Sequence, residues 1–323
     1  MYPATLPTRR RSNWRTAALI AGAGLAASFL YVLAKQQAAE RANPPAGKFV
    51  EVDGVRLHYL ERGSGPDLVL LHGSGLFADD FAFSGLLDKA AAHYRVIAFD
   101  RPGYGYSERP GGTRWTPEAQ ARLIYQALHA LRVERPIVVG HSQGAQVALA
   151  MALDYPRYVR AIALLGGYYY PTARFDAPLA ALPATPVLGH LLRYTLAPLA
   201  ARLAWPRLVR RMFAPAPPPE RFERLPESMT LRPSQLGASA ADSGHMIAAA
   251  RRLSQRYAEL TMPVTLVAGG GDAMVDVDAH ARRLHAAISH SALMVREGAG
   301  HMVHYADPDA VLAAIDALRT AQA

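Results

Sequence analysis

Short apolar runs, each closed by glycine or a polar turn, recur through most of the chain. Residues 48–60 alternate apolar and polar positions around Asp53-Gly54 and predict a β-hairpin. Uninterrupted apolar stretches follow at Asp67–Leu71, Arg95–Phe99, Pro136–Val139, Val159–Leu165, Val264–Ala268 and Ala292–Val295. A run with no polar face fits a strand covered on both sides. Helical spacing lies between them: Thr116–Leu131 with Pro117 in the first turn, a small-residue helix ending near Leu153, and a last helix over Pro308–Ala321. Strands alternating with helices predict an α/β fold with a mostly parallel central sheet and helices on both faces. Ligand sites in such sheets lie beyond the carboxyl ends of the strands.

One long interruption breaks the alternation. Eleven of the 24 prolines fall between Pro171 and Pro226. Leu191–Phe213 reads helical, with Leu, Tyr and Trp on one side and Arg on the other, but Pro198 and Pro206 exclude a long straight helix. The expectation is a mainly helical cap, residues 168–255, lying over the end of the preceding strand. The core then comes in two pieces, residues 48–167 and 256–323.

The other departure is N-terminal. Residues 17–34 carry no charge, and as a helix they span about 27 Å, barely the ~30 Å of a hydrocarbon core. Arg9, Arg10, Arg11 and Arg15 precede them, which orients the N-terminus to the cytoplasm and the remaining chain across the membrane. Two readings follow for residues 1–34. One is a retained signal anchor. The other is a signal peptide cleaved after Val32-Leu33-Ala34 and an exported product. Residues 35–47 read as a linker.

Charge counting changes what the composition implies. The formal net charge is +9, yet residues 1–34 hold +4 and residues 193–224 hold +5, leaving 24 basic and 24 acidic residues elsewhere. A neutral body with two basic patches and no nucleic-acid motif excludes DNA or RNA as the expected partner. The cap patch 193–224 either solvates a helical insertion or faces anionic headgroups. The absence of cysteine excludes disulfide scaffolds, thiol catalysis, iron–sulfur clusters and thiolate zinc sites.

Candidate chemistry sits at strand ends. Gly140-His141-Ser142-Gln143-Gly144 follows an apolar strand and opens a helix, so Ser142 must occupy a strained turn that exposes its hydroxyl. The glycines two before and two after let neighbouring backbone approach. A serine nucleophile needs a base and an orienting acid. His301, in Gly298-Ala299-Gly300-His301 beyond the last strand, is the expected base, with His304 second; His141 is expected to pack or shape the pocket. Asp272, after Gly269-Gly270-Gly271, is the expected acid, ahead of Asp276, Asp278 and Asp176. The backbone amides of Gln143 and of Ser74, in His72-Gly73-Ser74-Gly75, are the expected oxyanion donors.

With these stretches in view, the sequence resembles the α/β-hydrolase superfamily, in its capped serine-hydrolase branch. LLHGSG (70–75), FDRPGYGYSERP (99–110), VVGHSQG (138–144), VAGGGDAMV (267–275) and GAGHMVHYADPDAV (298–311) carry the resemblance. It implies Ser142 as nucleophile, Asp272 as acid, His301 as base, Ser74 and Gln143 as oxyanion donors, and a structural role for Asp100-Arg101-Pro102-Gly103. Gln143 departs from many esterase relatives and should tune the pocket. Related dehalogenases and epoxide hydrolases use aspartate at the nucleophile position, so serine points to acyl transfer to water. No metal or organic cofactor is needed. The expected activity is hydrolysis of carboxylic esters of apolar or lipid-like substrates. A carbon–carbon bond hydrolase, a cofactor-free haloperoxidase and a membrane-anchored binding module are the alternatives.

Overall fold

The computed structural model describes residues 14–173 and 181–320. Eight strands form one sheet: β1 (Lys48–Val52), β2 (Val55–Arg62), β3 (Asp67–Leu71), β4 (Arg95–Phe99), β5 (Ile137–His141), β6 (Ala161–Leu165), β7 (Val264–Gly269) and β8 (Ser291–Arg296). Their order is β1-β2-β4-β3-β5-β6-β7-β8. The pairs β1/β2 and β2/β4 are antiparallel and all later pairs parallel. Asp53 and Gly54 close the hairpin at φ 50° and 70°, the handedness that follows strand twist.

Strands β5, β6 and β7 are buried along their whole length, which is why they read as unbroken apolar runs. Successive residues serve opposite faces of the sheet. Val69, Ile97 and Val138 pack on one side with Leu123 and Ile124 of α4 (Pro117–Ala130) and Leu149 of α5 (Gln143–Asp154). Leu70, Ala98 and Val139 pack on the other with Val311 and Ile315 of the C-terminal helix (Pro308–Thr320). Thr116 caps α4, accepting the Ala119 N–H at 3.3 Å.

The insertion between β6 and β7 is helical: α6 (Leu188–Arg193), α7 (Ala197–Phe213), α8 (Glu227–Thr230) and α9 (Pro233–Ser254). Here one expectation is corrected. Pro198 sits in the first turn of α7, where its missing N–H costs nothing, and Pro206 lies inside a continuous helix of 17 residues. Pro206 is tolerated because it and Arg202, whose carbonyl loses its donor, are both exposed to solvent. The interruption falls instead at Tyr194–Leu196, between α6 and α7.

The N-terminal helix α1 (Trp14–Ala42) is long and apolar enough to cross a membrane or to serve as a signal sequence. It continues through residues 35–42, so most of the stretch read as linker is helix. Arg9, Arg10 and Arg11 lie outside the described residues. From Ser28 onward α1 rests on the cap. The Ser28 hydroxyl donates to the Thr195 carbonyl at 2.9 Å, Val32 and Ala39 are buried, and Glu40 pairs with Arg232 at 3.1 Å.

Candidate active site

Ser142 stands between β5 and α5 at φ 53° and ψ −116°, a conformation that non-glycine residues adopt only under constraint. The constraint is close packing on both sides. A Cβ on Gly140 would fall 2.4 Å from the Gly144 carbonyl oxygen, and one on Gly144 would fall 2.1 Å from that of Leu71. The Ser142 N–H is held by the Leu165 carbonyl at 2.8 Å.

The turn aims the hydroxyl at the loop after β8. Ser142 Oγ lies 2.9 Å from His301 Nε2, and His301 Nδ1 lies 2.7 Å from Asp272 Oδ2. Asp272, in the loop after β7, accepts the backbone N–H groups of Met274 and Val275 on its other oxygen at 2.7 and 2.9 Å. With His301 protonated on Nδ1, Nε2 accepts the serine proton and Asp272 steadies the imidazolium. Three residues from three strand ends thus form one nucleophile–base–acid chain, as expected from the sequence. Nearby, the Arg101 N–H donates to His72 Nε2 at 2.9 Å, and burial beside Arg101 pushes His72 down to about 3, so it stays a neutral acceptor.

The weaker candidates fall into ordinary roles. Asp276 accepts the Ala279 N–H at 2.7 Å, and Asp278 pairs with Arg282 at 2.9 Å. Asp176 lies outside the described residues. His304 is fully buried and pairs with Asp80 at 2.8 Å, away from Ser142. His141 packs behind the base and its Nε2–H donates to the His301 carbonyl at 3.2 Å. Burial first, and then its histidine neighbours, hold His141 well below the usual imidazole range, so it stays neutral.

A hydrogen bond from the cap reaches the same loop: the His301 N–H donates to the carbonyl of Met212 in α7 at 2.9 Å. The base is therefore gripped from both sides, by His141 and by the cap. We expect His141→Phe, which keeps a ring and loses the donor, to lower kcat roughly 10- to 100-fold through misplacement of the base. KM should stay unchanged. Steady-state kinetics check this, and an unaltered kcat would leave His141 a packing residue only.

Above the triad lies a cavity of about 530 Å³, lined by the Gly73–Leu76 loop, by Ser142 and His301, and by cap side chains that include Trp205, Leu208, Met212 and Met246. Ser74 and Gln143 border it, and neither backbone amide hydrogen-bonds another described residue. The sequence profile of the α/β-hydrolase fold matches residues 66–308. The chain belongs to the α/β-hydrolase family. An uncharacterised protein of Mycobacterium tuberculosis is 29% identical to this hydrolase over 82% of this chain and 78% of its own. The 2-hydroxymuconate semialdehyde hydrolase of a Pseudomonas species is 34% identical over 43% of this chain and 50% of its own. Among solved structures, a membrane phospholipase A described as a bacterial virulence factor superposes with a TM-score of 0.65 at 22% identity, covering 97% of this chain and 100% of that one.

Two features of this α/β-hydrolase were invisible to sequence reasoning. One is the Met212 grip on the base. The other is the buried cluster around Asp242 of α9, which binds Arg101 at 2.8 Å and Arg109 at 2.9 Å and ties the cap to the core. Each joins residues far apart in the chain, and no local pattern announces it.

Proposed function

We propose that this protein is a carboxylic-ester hydrolase for apolar, lipid-like acyl esters. The observation that carries the reading is the cavity itself. It is walled chiefly by aliphatic, aromatic and methionine side chains, and no Lys, Arg, Asp or Glu lines it among the described residues. An anionic substrate such as the 2-hydroxymuconate semialdehyde named for the Pseudomonas relative calls for a cation to hold its carboxylate. A neutral apolar acyl chain needs none. The phospholipase of similar fold agrees with this choice.

Ser142 attacks the ester carbonyl while His301 takes its proton. The amides of Ser74 and Gln143 receive the oxyanion, each worth roughly 3 kcal/mol in the transition state. His301 returns the proton to the departing alcohol, then deprotonates the water that resolves the acyl-enzyme. A panel of p-nitrophenyl esters graded by chain length, run beside a vinylogous diketone, tests the proposal. We expect kcat/KM to rise from acetyl to medium-chain acyl groups and the diketone to remain uncleaved. Cleavage of the diketone with inert esters would transfer the protein to the carbon–carbon hydrolases.

We infer also that α1 is kept as an anchor, with the catalytic domain on the extracytoplasmic side. Cleavage after Ala34 would discard Ser28, Phe29 and Val32. The first bonds Thr195, the second packs on Tyr194 with ring centroids 6.0 Å apart, and the third is buried. A transient signal has no use for contacts with the mature domain.

A further inference from the structure

We propose that the tip of the cap, α6 and the start of α7, is immersed in the hydrocarbon layer of the bilayer beside α1. The inference rests on the anchor reading above and goes beyond it to the surface of the catalytic domain. Its first ground is length. The part of the apolar run that stands free of the cap, residues 17–27, spans about 17 Å as helix, little more than half of a ~30 Å hydrocarbon core. The remainder of the crossing falls to residues 28–34, and those lie against the cap. Whatever flanks them lies at the same depth.

The second ground is register. Ser28 meets Thr195, Phe29 meets Tyr194, and Val32 and Lys35 share a cleft with Leu199 and Arg202. The two segments therefore run side by side in the same direction, with an offset near 167 residues. On α1 the apolar run ends at Ala34 and charge begins at Lys35; on the cap the half-buried Arg193 at the end of α6 folds back onto the Gly189 carbonyl and the His190 ring, and exposed arginine begins at Arg202. Both surfaces turn from apolar to basic at one level. Tyr31, with the Lys35 ammonium 5.5 Å from its ring centroid, marks the boundary as aromatic and basic anchors do at a membrane interface. Arg207, Arg210 and Arg211, all exposed, lie farther along α7, at headgroup height.

The third ground is the exposure itself. Among the described residues, the large apolar side chains that face solvent lie on α1 and within residues 182–208, with Phe49 the sole exception. Val187 is 86% exposed and Leu203 82%; Leu188, Leu191, Leu196 and Leu199 join them. Such a patch on a soluble surface is costly, and a bilayer removes the cost. The opposite side of α7, through Ala204, Trp205 and Leu208, lines the catalytic cavity. One helix then has lipid on one side and the reactive serine on the other.

The absence of native cysteine makes the test direct. Leu19→Cys on α1, Leu196→Cys on the cap tip and Glu134→Cys on the core are each labelled with an environment-sensitive fluorophore. The full-length proteins are reconstituted into phosphatidylcholine–phosphatidylglycerol vesicles with or without acyl-chain spin-labelled lipid. Fluorophosphonate labelling of Ser142 confirms the fold of each. We expect emission at positions 19 and 196 to be roughly halved by the spin label and that at 134 to be unchanged. Quenching at 19 without quenching at 196 overturns the immersed cap and leaves the anchor standing. Quenching at neither overturns both. A reporter at 196 that is shielded in proportion to protein density but ignores the spin label would mean that a second copy of the chain covers the patch, which also overturns the proposal.

Discussion

Ser142→Ala is expected to lower kcat by about 10⁴- to 10⁶-fold, the range seen when a serine nucleophile is removed from an intact oxyanion site. Among the described residues the hydroxyl makes one hydrogen bond, 2.9 Å to His301 Nε2, and its turn is fixed by backbone packing, so the fold should be untouched. His301→Ala should cost a similar factor, because an unactivated serine is a poor nucleophile. The double variant should be no slower than either single one, since the two side chains act as a unit. Ester turnover and fluorophosphonate labelling, with circular dichroism as the check on folding, decide the matter. Residual activity near the wild-type level in Ser142→Ala would remove the nucleophile assignment.

The second large effect is on stability. Asp242 of α9 is 4% exposed in its side chain and accepts four hydrogen bonds: from Arg101 at 2.8 Å, Tyr104 at 3.0 Å, Arg109 at 2.9 Å and Gln120 at 3.2 Å. All four partners belong to the core, so one cap carboxylate docks the insertion. Asp242→Ala leaves the Arg101 guanidinium, 1% exposed, without a counter-charge, and should cost about 3–5 kcal/mol in urea unfolding. Asp242→Leu combined with Arg101→Met should recover much of that loss, because no charge then remains buried.

The pH dependence of this loss has a definite sign. Burial pushes the Asp242 carboxyl up, but Arg101 and Arg109 outweigh it and hold the group below the ordinary 3.8. The stabilisation is complete above that ordinary value and is lost as pH falls through the lowered one in the folded protein. The gap between wild type and Asp242→Ala should therefore be constant through neutral and mildly acid pH and should narrow below about 3.8. A gap that instead closed near neutrality would mean that a different group carries the interaction.

The limits of the sequence follow from range. Pro206 read as a helix breaker because proline's cost is local and visible, whereas the solvent that accommodates it in α7 is a property of the folded surface. His304 read as the second candidate base, although it lies a helical turn beyond His301. Only the packing of α11 (Val303–Ala306) against the buried Asp80 turns it away from the serine. His141 was legible as a packing residue, but its bond to the His301 carbonyl was not.

What the sequence determined by itself was the succession of strands and helices along the chain, the glycine-flanked turn around Ser142, and the choice of Asp272 and His301. Each depends on a few adjacent residues: doubly covered strands have no polar face, and a strained serine needs small neighbours on both sides. What only the tertiary structure decided was the company these residues keep. The Met212 carbonyl on the base, the Asp242 lock, the apolar cavity and the side-by-side register of α1 with the cap all pair residues remote in sequence. Such contacts are chosen by shape and by satisfied polar groups once the chain is compact, and a linear pattern of side chains does not encode them locally.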